Sequence, residues 1–142
     1  MSRISEQFQK ERSLQGAPRV TAVSREYTEA AELALAHARA HLRLPAALPV
    51  LWVSQPGGNH GETWWWPDGR VEVRINAGAD LSPRDIARTV LHECKHVADG
   101  QHHRLSYWAA EDGANAFAGD VMNERRTQDF LRLNWRRPSG RR

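Results

Sequence analysis

The spacing of apolar residues changes period twice along the 142-residue chain and predicts an α+β fold. Residues 24–44 repeat apolar side chains at helical spacing and are rich in alanine, which predicts a helix whose buried stripe backs a sheet. Between residues 49 and 76, short apolar runs alternate with turn sequences, which is typical of about three strands. Residues 82–99 and 107–133 return to helical spacing. We therefore expect a small, mostly antiparallel sheet packed on helices, with a further short helix over about residues 2–14.

The strand pattern is clearest at residues 71–76, where polarity alternates. The two faces carry Val71, Val73 and Ile75 on one side and Glu72, Arg74 and Asn76 on the other. This alternation predicts a strand with one buried and one solvated face. The run Trp64-Trp65-Trp66 precedes it across a turn sequence. Because alternate strand residues share a face, we expect Trp64 and Trp66 in the core and Trp65 pointing away.

The helix over residues 82–99 carries strong start and stop signals and a chemical motif. At its start, Ser82 can cap the helix, Pro83 suits the first helical position, and Asp85 lies three residues after the cap. At its end, Gly100 is a typical stop signal. The pattern HExxH occupies residues 92–96, in the last two turns. Because residues i and i+4 share a helix face, His92 and His96 can reach one metal ion, and Glu93 can accept a proton from water.

A catalytic zinc ion needs a third protein ligand, and the chain offers two candidates after the motif. His102 has the spacing of HExxHxxGxxH, but Asp99 stands where that pattern has glycine, and Met122 falls in a predicted helix instead of a turn. Glu111 lies on the following helix, and Asn115 one turn later can orient a ligand from the same face. The spacing alone leaves both candidates open.

The segment that begins at Glu111 reads E-x-x-A-N-x-F-A. Together with HExxH it resembles the gluzincin metallopeptidases, and most of all the ImmA/IrrE family of small bacterial and phage proteins, over about residues 82–122. The resemblance implies a minimal zincin-like domain with Glu93 as general base, and it favours Glu111 over His102. The residues that match the family's zinc ligands are His92, His96 and Glu111. The chain departs from the family at Gly113, where members usually carry a second acidic residue.

The reaction expected from this resemblance is zinc-dependent hydrolysis of a peptide bond. Glu93 would assist the attack of a zinc-bound water on the carbonyl, and a donor would stabilise the oxyanion. Tyr107 is the first choice as that donor, with His102 and His103 as alternatives. We expect the strand over residues 71–76 to form the sheet edge above the cleft, where an extended substrate could pair.

The remaining histidines and the cysteine give weaker signals. His37 and His41 also have i, i+4 spacing, but without an acidic partner pattern they are expected at the edge of the core. Cys94 is expected to be a small core residue, and His60 lies in a glycine-rich loop that could line the cleft.

Composition and charge lead to expectations for the number of domains, the localisation and the partners of the protein. At this length and 40% apolar content we expect one domain over residues 1–135, followed by a basic, disordered tail over residues 136–142. A single cysteine and a polar N-terminus favour the cytoplasm, and no apolar run predicts a membrane partner. The net charge of +3 does not favour nucleic acid. We expect a protein or peptide substrate, with a regulatory protein as a further partner. The alternative is a noncatalytic module that binds zinc, protein or nucleic acid.

Overall fold

The described part of the chain has an α+β fold, with three helices and a small sheet. The computed structural model describes residues 12–100 and 106–124. The elements in chain order are α1 (Arg25–His41), β1 (Val50–Val53), β2 (Gly61–Trp65), β3 (Val71–Asn76), α2 (Pro83–Asp99) and α3 (Tyr107–Met122). The helix predicted over about residues 2–14 and the basic tail lie largely or wholly outside the described residues, as does the predicted extension of α3 to residue 133.

The sheet is mixed, whereas the sequence led us to expect a mostly antiparallel one. Its strand order is β1-β3-β2, with β3 in the centre. Strands β2 and β3 form an antiparallel hairpin, but β1 pairs with β3 in the parallel direction. The hairpin can be read from the turn sequence between its strands. The direction and position of β1 depend on a pairing between segments that are distant in the chain, and local patterns do not encode it.

Both faces of β3 are covered, so the expected solvated face is wrong. Val71, Val73 and Ile75 pack into the core as predicted, but Glu72 and Asn76 on the other face are buried too. Glu72 accepts hydrogen bonds from Trp66 Nε1 and Arg74 Nε. Asn76 is enclosed by the loop that precedes β2 and uses its amide four times, with Gln55 N–H, Gln55 C=O, Asn59 C=O and Gly78 N–H.

The tryptophan run is oriented opposite to our expectation. Trp65 pairs with Val71, which faces the helices, and it packs against the core. Trp64 lies on the other face, where the Arg74 guanidinium is 4.1 Å from its ring centre, and Trp66 is 37% exposed. A shift of one residue in register exchanges the two faces of a strand, and the register follows from the hairpin pairing, not from hydrophobicity.

Helix α2 lies between the sheet and the other two helices. Helix α1 packs mainly on α2, whereas we expected it to pack directly on the sheet. The buried side chains of α1 are small: Ala30, Ala31, Ala34 and Ala38. The helix reaches the sheet through Tyr27, which stacks on Trp52 with ring centres 6.0 Å apart. None of the helices in the described part of the chain is long and apolar enough to cross a membrane.

Candidate metal centre

The local sequence fixes where α2 begins and ends. The Ser82 side chain accepts the Asp85 backbone N–H, and the Asp85 carboxylate accepts the Ser82 N–H in return, so the first turn is capped in both directions. Pro83 occupies the first turn, where its missing N–H costs no hydrogen bond. Gly100 ends the helix with φ of +87°, a conformation that favours glycine. These signals place residues 92 and 96 in the last two turns, as predicted.

Helices α2 and α3 run antiparallel and face each other in successive pairs. The pairs are His96 with Glu111, His92 with Asn115, and Arg88 with Gly119. Each pair lies one helical turn from the next, so the paired side chains form a straight row along the groove between the helices. We call this row, together with its two helices, the helical wall.

The ligand atoms of His92, His96 and Glu111 converge at the middle of the helical wall. The two Nε2 atoms are 3.2 Å apart, and the Glu111 carboxylate oxygens lie 2.8 Å from His96 Nε2 and 3.1 Å from His92 Nε2. The ligand atoms of a tetrahedral zinc site are about 3.3–3.6 Å apart, given bonds of about 2.0–2.2 Å. These three groups, found together among the described residues, could therefore hold a zinc ion and leave a fourth position open.

Asn115 fixes which nitrogen of His92 faces the convergence point. Its side-chain oxygen lies 2.9 Å from His92 Nδ1 and can only accept, so Nδ1 carries a proton. Nε2 of a neutral His92 therefore presents a lone pair to the Glu111 carboxylate. Lone pairs that face each other at this distance repel unless a cation lies between them, which is the donor chemistry that a metal requires.

The pKa values of His92 and Glu111 are shifted in opposite directions by their contact. Burial lowers the pKa of His92, but the hydrogen bond to Glu111 and the neighbouring carboxylates outweigh burial and leave it raised. Burial raises the pKa of Glu111, yet the hydrogen bonds from the two histidines lower it to about 2. Both shifts show that positive charge on His92 and negative charge on Glu111 stabilise each other.

Glu93 points away from the helical wall towards β2. It is buried, and its carboxylate lies 3.9 Å from His92 Nε2. The Thr63 hydroxyl is 2.9 Å from its carboxylate and 3.1 Å from its backbone carbonyl, so one strand residue contacts both ends of Glu93. Burial raises the pKa of Glu93, and the two histidines partly oppose that shift.

Strand β2 lies close to α2 because residue 61 is a glycine. A Cβ there would be 2.6 Å from Thr89 Cγ2, 3.1 Å from the Arg74 carbonyl oxygen and 3.3 Å from Glu93 Cγ. The first distance is far below a normal carbon–carbon contact. Gly61 therefore permits the approach that brings Thr63 to Glu93.

The free edge of the sheet is β2, and not β3 as the sequence suggested. The hydrogen-bonded pairs that flank β2 are His60–Asn76 and Trp66–Arg70, both with N···O distances of 2.8 Å. Because such pairs alternate in an antiparallel ladder, Glu62 and Trp64 bond to β3. The residues whose N–H and C=O point outwards are Gly61, Thr63 and Trp65. Within the described residues no backbone group bonds to them, and we call this edge the strand wall.

The two walls enclose an open cleft of about 860 Å³. Tyr107 and His60 line it, together with Arg12 and Arg88. Burial raises the pKa of Tyr107, and the carboxylates of Glu111 and Glu93 raise it further, which places the phenol in the field of both. Tyr107 thus keeps its proton at neutral pH and can donate it in a hydrogen bond.

The structure brings most of the predicted site residues together. The two histidines of the motif, Glu93, Glu111 and Tyr107 all line the cleft. His102 and His103 lie outside the described residues. His41 contacts Glu124 and Phe117 away from the cleft, and the buried Cys94 thiol, with its pKa raised by burial to about 12, is a core residue as expected.

Three further residues at the cleft were not predicted from the sequence: Gly61, Thr63 and Arg88. No local pattern marks the first two, since their role depends on how β2 lies against α2. Arg88 had a signal: it precedes His92 by four residues and therefore shares its helix face.

Comparisons of the chain with family models, curated proteins and solved structures find no match. The function must therefore be inferred from the chemistry and geometry of the cleft. Three converging ligand atoms, a buried carboxylate beside them and an unpaired strand edge opposite are the observations that any function must explain.

Proposed function

We propose that the protein is a zinc-dependent peptidase of the gluzincin type. The observation that carries the proposal is the convergence of His92, His96 and Glu111 beside the buried Glu93. Zinc bound by these ligands would lower the pKa of a water towards neutrality and polarise the substrate carbonyl. The chain's own residues would then position the substrate and move the proton.

Glu93 is suited to accept a proton from the attacking water. Burial raises its pKa above that of an exposed carboxyl group, which makes the carboxylate a better proton acceptor. Its proton would pass to the leaving amine as the peptide bond breaks. The Thr63 hydroxyl would hold the carboxylate in one orientation during both transfers.

The strand wall is suited to bind an extended peptide. The outward N–H and C=O groups of Gly61, Thr63 and Trp65 offer the hydrogen bonds of an additional antiparallel strand. A peptide bound there would lie between β2 and the ligand residues of α2, with its carbonyls beside Glu93. This arrangement favours a peptide substrate over a small molecule.

Tyr107 is the candidate donor to the oxyanion. It lies one helical turn before Glu111 on α3, and it lines the cleft. Its phenol remains protonated at neutral pH, as a hydrogen-bond donor must. We place the protein in the cytoplasm, where a regulatory protein would be a fitting substrate or partner.

The test combines metal analysis with one conservative variant. We expect about one zinc ion per chain in wild type and in Glu93→Gln, and cleavage of a mixture of unstructured peptides that falls on the order of 10³-fold in Glu93→Gln. Glu26→Gln, an exposed carboxylate on α1, is the matched control and should cleave like wild type. Protein that cannot be loaded with zinc contradicts the proposal. Zinc binding without cleavage would instead support the noncatalytic module.

A further inference from the structure

Arg88 occupies a specific place in the cleft. It is the α2 member of the last pair along the helical wall, one turn before His92, and it lines the cleft. Its partner across the groove is Gly119, where a Cβ would lie 3.9 Å from Arg88 Nη2. The glycine leaves the guanidinium room beside the groove.

The charge of Arg88 is available to a ligand. Four other cationic side chains of the described residues form ion pairs, namely Arg25 with Glu29, Arg70 with Asp68, Arg74 with Glu72 and Lys95 with Asp99. Over residues 12–100 and 106–124, no side-chain hydrogen bond or ion pair of Arg88 is found, and the residue is exposed. A guanidinium in that state can bind a carboxylate with two parallel hydrogen bonds.

The helix geometry sets the distance from Arg88 to the cleaved bond. Arg88 precedes His92 by four residues, which corresponds to about 6 Å along the helix axis. An extended peptide advances about 3.3 Å per residue, so Arg88 lies beside the second residue from the cleaved bond.

The contacts of β2 with α2 determine the direction in which a bound peptide would run along the cleft. Gly61 lies against Thr89, and Thr63 lies against Glu93, so β2 and α2 run the same way. A peptide that pairs antiparallel with β2 would run in the opposite direction, with its C-terminal side towards Arg88.

We propose that Arg88 binds a substrate carboxylate at the second residue on the C-terminal side of the cleaved bond. This inference rests on the proposed peptidase function and adds a preferred substrate class to it. The carboxylate belongs either to an Asp or Glu side chain or to the C-terminus of the peptide. Arg88 offers such a carboxylate a cationic partner one helical turn beyond His92.

The test uses fluorogenic decapeptides in which one glutamate is moved along an otherwise neutral sequence. For wild type we expect kcat/KM to be about fivefold to tenfold higher when the glutamate is the second residue after the cleaved bond than when glutamine is there. Arg88→Glu should reverse the preference in favour of lysine, and Arg88→Gln should abolish it. Arg84→Glu, an exposed charge change on the same helix that does not line the cleft, should keep it.

Peptides that end two residues after the cleaved bond separate the two sources of the carboxylate. A preference for a free C-terminus over its amide identifies the chain end, and a preference for internal glutamate identifies the side chain. Either preference supports the proposal if the preference is lost in Arg88→Gln. A preference on the N-terminal side, or one that Arg88→Glu leaves unchanged, overturns it.

Peptide binding to zinc-loaded Glu93→Gln gives a readout that does not need turnover. Fluorescence polarisation with the same peptides should show the glutamate preference, and the added Arg88→Glu change should reverse it. If wild type cleaves nothing, the peptidase proposal fails while this arm still decides the role of Arg88. Equal affinity for the glutamate and glutamine peptides, or no binding of either peptide, overturns the proposed role of Arg88.

Discussion

The two walls of the cleft are built by different physical means. The helical wall takes its ligands from residues four apart on α2 and from their partners on α3, and each helix is capped by its own sequence. The strand wall takes its backbone edge and the Thr63 hydroxyl from β2, whose place depends on pairing with β3 and on close approach to α2. In the proposed function the first wall would hold the metal, and the second would position Glu93 and the substrate. Changes in the two walls should therefore have separable effects.

Loss of a metal ligand should have the largest effect and should be confined to the helical wall. In His96→Ala we expect zinc to be lost and kcat/KM to fall on the order of 10³-fold or more, because a bound metal contributes several kcal/mol to the transition state. The measurements are zinc content and peptide cleavage. His41→Ala changes another histidine of an i, i+4 pair and should keep both properties. Equal zinc loss in both variants would contradict the assignment.

Removal of the Asn76 amide should destabilise the strand wall most. Asn76→Ala leaves up to four loop groups without their partner, so we expect the free energy of unfolding to fall by about 3 kcal/mol in urea titrations. Asn123→Ala, at an exposed helix end, should cost less than about 1 kcal/mol. Similar losses in the two variants would mean that Asn76 does not organise the loop.

The contact between the walls can be tested by a double-mutant cycle. Gly61→Ala should destabilise the protein by about 1–3 kcal/mol, because the added methyl would overlap Thr89 Cγ2. Thr89→Ser removes that methyl and retains the hydroxyl that donates to the Asp85 carbonyl. In the double variant we expect part of the loss to be recovered, measured as a coupling energy in thermal unfolding. Strictly additive effects would show that β2 is not held against α2 at this point.

The smallest effect should come from the Thr63 hydroxyl and should appear in turnover alone. Thr63→Val keeps the shape of the side chain, so we expect kcat to fall by about tenfold with KM and zinc content nearly unchanged. Thr63→Ser restores the hydroxyl and should restore kcat. An unchanged kcat in Thr63→Val, or a loss that serine does not rescue, would remove Thr63 from the positioning of Glu93.

The comparison of the walls also shows how far the sequence could be read. The caps and length of α2, the i, i+4 histidines and the choice of Glu111 with Asn115 followed from helical spacing and from a family resemblance. In the described residues the caps of α2 agree with those expectations, and the two motif histidines lie beside Glu111 and Asn115. The choice of Glu111 over His102 stays a prediction, because His102 lies outside the described residues. The expectations for the strand wall were wrong in three respects: the direction of β1, the faces of the tryptophans and the identity of the edge strand.

The sequence by itself determined the helices and the spacing of the ligands, because a helix relates residues only three or four apart through its own hydrogen bonds. The tertiary structure decided which strand forms the edge, which hydroxyl reaches Glu93 and where Arg88 lies relative to the ligands. These relations join residues far apart in the chain, such as Gly61 and Thr89 or Thr63 and Glu93. They depend on strand register and on close packing between β2 and α2, which become defined only when the whole domain folds.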